Sequence, residues 1–335
     1  MSLPDAPFPL PRPWLLADIG GTNARFGWLA EGSDSVTQVA TLPAAGHKGP
    51  AEAARTYLAG VAAALGPAYS APRAAAFAVA TAVGSDHIAF TNSGWAFSRA
   101  DTQRALALDE LLILNDFEAL ALSLPRLSAT QLRAWEVPGQ RTPPRATRAV
   151  IGPGTGLGVA GLVPTAHGWV AVPGEGGHAS LSAADDFDAA LLAAVRREHP
   201  HVSAERLLSG IGLPVLHRGV AAVLGVGPVT LATEHIVERG LVGSDAVCSR
   251  TLDAFCALLG SFAGNVALVL GARGGVYIGG GIVPRLGERF FASEFRTRFE
   301  AKGRFQAYLQ AIPTLLITDT LAALNGAAQA LDPRG

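Results

Sequence analysis

Residues 14–30, WLLADIGGTNARFGWLA, contain two apolar runs separated by a short polar turn, and this pattern predicts a β-hairpin. Two glycines let the turn bend sharply and approach a ligand without an intervening Cβ. Consecutive N–H groups in such a turn can bind an anion, and a threonine adds a hydroxyl donor. The turn therefore predicts a phosphate site, with an ordinary glycine hairpin as the alternative. Its polar residues and glycines are Asp18, Gly20, Gly21, Thr22 and Asn23.

A second copy of this pattern occupies residues 149–163, AVIGPGTGLGVAGLV. Its turn contains Gly152, Gly154, Thr155, Gly156 and Gly158. A strand and then a helix are predicted after each hairpin, at 36–42 and 49–66 after the first and at 168–173 and 184–198 after the second. The repetition predicts two copies of one βββα unit.

The run LLILND at 111–116 is apolar without alternation, which is typical of a strand covered on both faces. Asn115 and Asp116 end this strand, at the edge where open α/β sheets bind ligands. Asp116 could instead cap the helix that follows. Residues 126–147 are rich in proline and arginine and predict a surface excursion near a domain crossing.

A helix-rich block between the duplicated sheets predicts two lobes with a cleft. The further predicted strands are 74–81, 87–92, 274–279 and 314–318. The further predicted helices are 98–108, 117–124, 203–209, 213–223, 230–240, 245–271, one helix between the strands at 274–279 and 314–318, and a C-terminal helix.

Composition narrows the possible ligands. The chain has 335 residues, 49% of them hydrophobic, which is enough for about two domains with sizeable cores. Its 26 basic and 27 acidic residues give a net charge of −1, so no overall field attracts nucleic acid or an anionic membrane. Lys48 and Lys302 are the only lysines, and neither lies in a P-loop sequence, which excludes that motif. An anionic ligand must therefore be bound by local geometry.

The remaining features predict an intracellular protein. Cys248 and Cys256 are spaced for neither a zinc site nor a C-x-x-C pair, so they are expected to be reduced core thiols. The proline-rich N-terminus lacks the apolar core of a signal peptide and is expected to be a flexible arm. Residues 252–283 are the most membrane-like, but Asp253 and Arg273 interrupt them, so no membrane span is expected. The expected location is the cytoplasm.

Three further stretches carry candidate chemistry. GEGGH at 174–178 places Glu175 and His178 on a flexible backbone, where they could bind the hydroxyls of a neutral polyol or form a solvated glycine loop. No cysteine accompanies them, so zinc is not expected. Glu205 lies in SAERLLSG, whose serine and acidic first turn also describe an ordinary helix start. Between a strand and a helix, Gly279, Gly280 and Gly281 could admit a flat base or form a plain turn.

These motifs, in this order, resemble bacterial glucokinases of the actin/hexokinase/Hsp70-like ATPase superfamily, and the resemblance covers nearly the whole chain. It implies an α/β, two-lobed actin-like ATPase (ribonuclease H-like) fold with a duplicated βββα core and a helix-rich large lobe. The small lobe would comprise 1–126 with the C-terminal helix at 318–335 returning to it, and the large lobe 127–317. The implied activity is ATP-dependent phosphorylation of glucose to glucose 6-phosphate by a homodimer.

The resemblance also implies residue roles. Asp116 would be the general base. Asp18 would orient Mg²⁺ through water, because a carboxylate cannot face a phosphate unless a cation lies between them. The sugar ligands would be Asn115, Asp116, Glu175, His178 and Glu205. The ATP-binding residues would be Asp18, Gly20, Gly21, Thr22 and Asn23 in the first turn, Gly154, Thr155 and Gly156 in the second, and Gly279, Gly280 and Gly281 on the adenosine side.

Two departures from the family pattern lie near the expected sugar pocket. Ala80, Thr81, Ala82 and Val83 precede Gly84 where the family usually has a proline, and Ser93 stands where relatives often carry histidine. They bear on strict glucose specificity rather than on phosphoryl transfer. A kinase for another hexose or amino sugar therefore remains an alternative. A non-catalytic sugar sensor is the third reading, but it would be expected to lack the base, and Asp116 is present.

Overall fold

The computed structural model of the protein describes residues 10–81, 83–90, 94–135, 143, 145–227 and 229–332. The chain divides into two units. Unit 1 contains Met1–Leu127, Pro164–Ala171 and Asp319–Gly335, and unit 2 contains Ser128–Val163 and Val172–Thr318. These limits differ by one residue from the predicted lobe boundaries near 126 and 318, and residues 164–171 are grouped with unit 1 rather than with their sequence neighbours.

Unit 1 is built on a five-stranded sheet in the order β3-β2-β1-β4-β7. Strands β1, β4 and β7 are parallel, and β1, β2 and β3 form an antiparallel meander. Every residue of β4 is buried, as expected for a strand covered on both faces. The elements are β1 (Trp14–Ile19), β2 (Asn23–Leu29), β3 (Thr37–Pro43), α1 (Pro50–Leu65), β4 (Ala74–Val79), β5 (His87–Ala89), β6 (Ala96–Ser98), α2 (Arg99–Ala105), β7 (Glu110–Asn115) and α3 (Asp116–Ser123).

Unit 2 repeats the hairpin in a six-stranded sheet in the order β11-β10-β9-β12-β13-β8. Its first elements are β8 (Leu132–Ala134), β9 (Arg148–Pro153), β10 (Leu157–Thr165), β11 (Gly168–Gly174), α4 (Asp186–Arg196), α5 (Ala204–Leu207), α6 (Leu213–Val223), α7 (Thr233–Val242) and α8 (Ala246–Leu270). They are followed by β12 (Val276–Ile278), α9 (Val283–Leu286), α10 (Glu288–Phe291), α11 (Phe295–Glu300), α12 (Gln306–Gln310) and β13 (Thr314–Ile317), and the chain ends in unit 1 with α13 (Ala322–Leu331).

The predicted βββα repeat is confirmed, first as β1–β3 with α1 and again as β9–β11 with α4. Local signals account for several element ends. Ser98 caps α2 by accepting a hydrogen bond from the Asp101 N–H at 3.1 Å, as its sequence suggests. Gly66 follows α1 with a φ of +54°, where a side chain would be strained.

Other expectations needed correction. The helix predicted to reach Leu108 ends at Ala105, and β6 and β8 were not predicted. A single helix was expected after β12, but the chain forms the four short helices α9–α12. Residues 1–9 of the N-terminal arm predicted for residues 1–13, Ala82, Ser93, and Pro138 and Pro144 of the predicted excursion lie outside the described residues.

The long helix α8 forms the centre of unit 2. Within the described part of the chain it is the one helix long and apolar enough to cross a membrane, but 78% of its most apolar window is buried inside the protein. Asp245 caps its start by accepting from the Cys248 N–H at 2.9 Å, and Gly271 ends it in the left-handed conformation. Its burial is that of a core helix.

In unit 1, α3 and α13 pack closely against each other and against β4. The contact depends on Gly326 of α13, because a Cβ at that position would lie 1.6 Å from the Ala119 carbonyl oxygen of α3. Glycine here allows the two helix backbones to touch. The packing sets the position of α3, whose first residue is Asp116.

Candidate active site

The first glycine and threonine turn lies at the end of β1 in unit 1. The Gly20 N–H donates to the Asn23 carbonyl at 2.9 Å, which closes the turn, and the Thr22 carbonyl accepts from the Ala44 N–H at 2.8 Å. Thr22 and Asn23 are exposed, and Gly20 and Gly21 are half-buried. The candidate phosphate-binding residues are thus held by backbone hydrogen bonds while their outer face is accessible.

Asp18 is the one charged residue of β1, lies next to this turn and is half-buried. Burial of the carboxyl group raises the pKa of Asp18, and the nearby Arg25 guanidinium partly opposes that shift. Arg25 is the cross-strand partner of Asp18 on β2, and its Nη1 donates to the Thr320 carbonyl at 2.5 Å. Sequence reasoning missed Arg25, although its position follows directly from the hairpin register.

Asn115 and Asp116 form the junction between β7 and α3. Asn115 is the N-cap, because its Oδ1 accepts from the Phe117 N–H at 2.9 Å. Glu118 accepts from the Asn115 N–H, and burial raises the pKa of its half-buried carboxyl group. The N-cap is therefore Asn115 rather than Asp116, and the Asp116 Oδ1 also accepts from the Phe117 N–H, at 3.0 Å. Asp116 is the first residue of the helix and is half-buried.

Strand register brings these two regions of unit 1 to one edge of the sheet. Ile19 of β1 is level with Val79 of β4, and Val79 is level with Asn115 of β7. Two strand spacings separate Ile19 from Asn115, which corresponds to about 10 Å. Asp18 and Asp116 thus lie near the same carboxyl edge of three parallel strands, where α/β sheets bind ligands.

The stretch that departs from the family pattern contacts both regions. The Ala80 N–H donates to the Ile19 carbonyl at 3.1 Å, and the Asn115 Nδ2 donates to the Thr81 carbonyl at 3.2 Å. Thr81, one residue of this departure, is therefore adjacent to the predicted sugar ligand Asn115.

Unit 2 brings the second turn together with the triple glycine. The Gly154 N–H donates to the Gly156 carbonyl at 2.9 Å. After β12, Gly280 has a φ of +78°, and a Cβ on it would lie 2.4 Å from the Pro153 carbonyl oxygen at the end of β9. The glycines at 279–281 are thus packed against the start of the second turn. Gly281 has open space around it, which leaves room for a flat ligand.

Three polar side chains of unit 2 face one another. The Nε2 of His178 lies 3.9 Å from the Glu175 Oε2 and 3.8 Å from the Glu205 Oε1. These separations are too long for hydrogen bonds. The side chains of Glu175 and His178 are 70% and 61% exposed, whereas that of Glu205 is 24% exposed. The group offers acceptors and a donor to a hydroxyl-bearing ligand.

Backbone packing explains the glycines of the loop that carries this group. A Cβ at Gly177 would lie 2.0 Å from the Leu157 carbonyl oxygen, and one at Gly176 would lie 3.1 Å from the Val159 Cβ. The loop therefore lies directly on β10. A freely solvated glycine loop, which was the alternative prediction for GEGGH, would not make this contact.

Glu205 has a hydrogen bond that its sequence context does not reveal. Ser203 caps α5 by accepting from the Arg206 N–H at 3.2 Å, as expected for an ordinary helix start. The Glu205 Oε2, however, accepts from the Leu157 N–H at 2.8 Å, at the first residue of β10. Glu205 thus connects α5 to the second turn.

His201 is a further residue that sequence reasoning missed. Its Nε2 lies 3.0 Å from the His178 carbonyl oxygen. A carbonyl only accepts, so Nε2 carries the proton of this hydrogen bond. The Ala204 N–H also donates to the Ala179 carbonyl at 2.9 Å. The segment before α5 therefore holds the loop that carries His178.

The structure thus brings the predicted residues together in two sets. Unit 1 contains the first turn with Asn115 and Asp116, and unit 2 contains the other sugar candidates, the second turn and the triple glycine. Among the described residues, no three His, Cys, Asp or Glu side chains are grouped to hold a metal ion. Mg²⁺ commonly binds through one carboxylate, water and substrate phosphates, so Asp18 beside a phosphate turn fits it.

Two hairpin-bearing sheets, each with a glycine and threonine turn, define an actin-like ATPase fold. Solved structures with this fold include a glucokinase from an Antarctic psychrotroph, which is 38% identical with a TM-score of 0.86 and covers 95% of this chain and 98% of its own. A ROK-family glucokinase from Streptomyces griseus in complex with glucose and AMPPNP, at 19% identity and a TM-score of 0.59 over 97% of this chain and 100% of its own, shares the fold.

A family model for glucokinase matches residues 15–334, and the chain belongs to the glucokinase family. The glucokinase of Neisseria meningitidis is 46% identical over 96% of this chain and 95% of its own length. That of Chromobacterium violaceum is 49% identical over 95% of this chain and 90% of its own.

Proposed function

We propose that this protein transfers the γ-phosphoryl group of ATP to glucose and produces glucose 6-phosphate. The observation that carries the proposal is the register of β1, β4 and β7, which places Asp18 with its turn and Asp116 at one edge of the unit 1 sheet. Phosphoryl transfer depends mainly on the positioning of the reactants and on charge stabilisation. A carboxylate beside the phosphate turn, Asp18, and a base, Asp116, at the same edge of the sheet suit this reaction. Membership of the glucokinase family supports glucose as the acceptor.

Asp116 is the general base of the proposed reaction. It accepts the proton of the sugar hydroxyl while the hydroxyl oxygen forms a bond to the γ-phosphorus. The bond between the γ-phosphorus and the β,γ-bridging oxygen breaks, and ADP leaves. Asn115 caps α3, which fixes the first residue of the helix for this role.

The two glycine and threonine turns bind the phosphates of ATP. The backbone N–H groups of Gly21 and Thr22 and those of Thr155 and Gly156 supply donors for the phosphate oxygens, because the N–H groups of Gly20 and Gly154 close their own turns. Mg²⁺ when bound would neutralise charge on those oxygens. Asp18 would hold the ion through water, and Gly279–Gly281 would admit the adenosine.

The resemblance to glucokinases assigns the binding of the sugar hydroxyls to Asn115, Asp116, Glu175, His178 and Glu205. A site built from hydrogen-bonding groups discriminates strongly, because a missing or inverted hydroxyl leaves a polar group unpaired. The contact between Thr81 and Asn115 supports the alternative of another hexose or an amino sugar, since the 80–83 stretch departs from the family pattern beside a sugar ligand. The proposed enzyme acts as a homodimer in the cytoplasm.

The test measures ADP release with glucose and with other hexoses and amino sugars. Purified protein with MgATP should turn over glucose with the highest kcat/KM, and EDTA should abolish turnover until Mg²⁺ is restored. Faster turnover of a different sugar would replace glucose with that sugar. No turnover of any sugar, with sugar binding retained, would support a sensor instead.

Asp116→Asn tests the base. The kcat should fall by about 10²- to 10⁴-fold, because an amide cannot accept the proton. Glucose binding, measured by calorimetry, should weaken much less. Asp186→Asn is a matched control, since Asp186, like Asp116, is the first residue of a helix, but Asp186 is exposed. If both variants kept the wild-type kcat, Asp116 would not be the base.

A further inference from the structure

The turn between β9 and β10, one of the two proposed ATP-binding turns, also holds the carboxylate of Glu205, a proposed sugar ligand. One oxygen of Glu205, Oε2, accepts from the Leu157 N–H at 2.8 Å. The other, Oε1, is directed towards His178 at 3.8 Å from its Nε2. The hydrogen bond to the turn therefore fixes which carboxylate oxygen of Glu205 faces His178.

Gly156 leaves the space that this arrangement requires. A Cβ at Gly156 would lie 2.4 Å from the Glu205 Oε2 and 3.3 Å from its Cδ. The φ of Gly156 is not in the left-handed region, so the backbone conformation alone does not call for glycine. The obstruction is the end of a flexible side chain. An alanine would therefore displace the carboxylate before it displaced the backbone.

The residues that follow α5 also form hydrogen bonds with the turn and with Glu205. The Gly210 N–H donates to the Gly154 carbonyl at 2.8 Å. Ser209 is buried and donates from Oγ to the Glu205 carbonyl at 2.7 Å. The turn and the segment that carries Glu205 are thus joined at two points, one through the side chain and one through the backbone.

We propose that Gly156 and the Leu157 N–H are positioning groups for the sugar ligand Glu205. Gly156 leaves room for the carboxylate, and the N–H sets its orientation, so the turn contributes to sugar affinity before any nucleotide binds. This inference rests on the proposed function, in which Glu205 binds glucose. It assigns to a nucleotide-side turn a part in binding the sugar.

The experiment measures the dissociation constant of glucose by calorimetry without nucleotide. Gly156→Ala should weaken glucose binding by about 10- to 100-fold, the range for losing one hydrogen bond to a charged group. Gly227→Ala is the matched control in unit 2, because exposed residue 227 is assigned to no ligand and a Cβ there meets no atom within 4 Å. Its glucose dissociation constant should equal that of the wild type.

A double-mutant cycle separates positioning from a general structural effect. In a Glu205→Ala background the obstruction is gone, so adding Gly156→Ala should change glucose affinity by less than about twofold. Equal losses in both backgrounds would overturn the proposal, as would wild-type affinity in Gly156→Ala. If Gly156→Ala alone did not fold, recovery of folding in the double variant would support the clash with Glu205, and failure of both would contradict it. A wild-type protein that bound no glucose would refute the proposed function instead.

Discussion

Gly326→Ala should damage both stability and catalysis, although residue 326 touches no proposed ligand site. The added Cβ would lie 1.6 Å from the carbonyl oxygen and 2.5 Å from the carbonyl carbon of Ala119. Both are backbone atoms of α3, so no side chain can rotate away. Relief requires α3 and α13 to separate.

The size of the effect follows from the distances. The shortest ordinary contact between carbon and oxygen is about 3.3 Å, so the helices must separate by about 1.7 Å. Overpacking of this kind typically costs about 1–3 kcal/mol of unfolding free energy. Because α3 begins at Asp116, the separation also moves the proposed base, and a displacement of about 1 Å can cost about 10²-fold in rate.

Urea unfolding and steady-state kinetics with glucose and MgATP measure the two effects. Gly60→Ala provides the control, because Gly60 is an exposed interior residue of α1 with no atom within 4 Å of an added Cβ. That change should stabilise the protein by about 0.5–1 kcal/mol and leave kcat unchanged. If Gly326→Ala unfolded and turned over like the wild type, the close packing of α3 and α13 would not constrain the base.

Two further predictions concern buried groups of unit 2. Arg296→Met should lower the unfolding free energy in urea by about 3–5 kcal/mol, because the buried guanidinium binds Glu300 and several backbone carbonyls at the end of α12; a loss below about 1 kcal/mol would contradict this. Burial raises the pKa of Cys248 to about 11 and that of Cys256 to about 12, so neither thiol should react with a disulfide reagent at pH 8 until the protein is denatured. The thiols of the unfolded chain ionise near pH 9. The contribution of the two buried thiols to the unfolding free energy should therefore be complete below that pH and should fall as the pH rises above it.

Local sequence determined the elements on which the site is built. The alternation of apolar runs and glycine turns predicted both hairpins, and the repeat of strands and a helix after each predicted the duplicated sheets that the structure confirms. Helix α6 spans Leu213–Val223, the same residues as its predicted range. Such features follow from the sequence because periodicity, caps and turns depend on neighbouring residues.

Tertiary structure decided which of those residues meet. The hydrogen bond from Leu157 to Glu205 joins residues from separate motifs, and the clash that keeps Gly156 a glycine exists only because α5 packs beside β10. His201 could not be found from its sequence context, because its partner is a backbone carbonyl supplied by another loop. Contacts between distant residues depend on how the elements pack, and the order of residues along the chain does not specify that packing in any local signal.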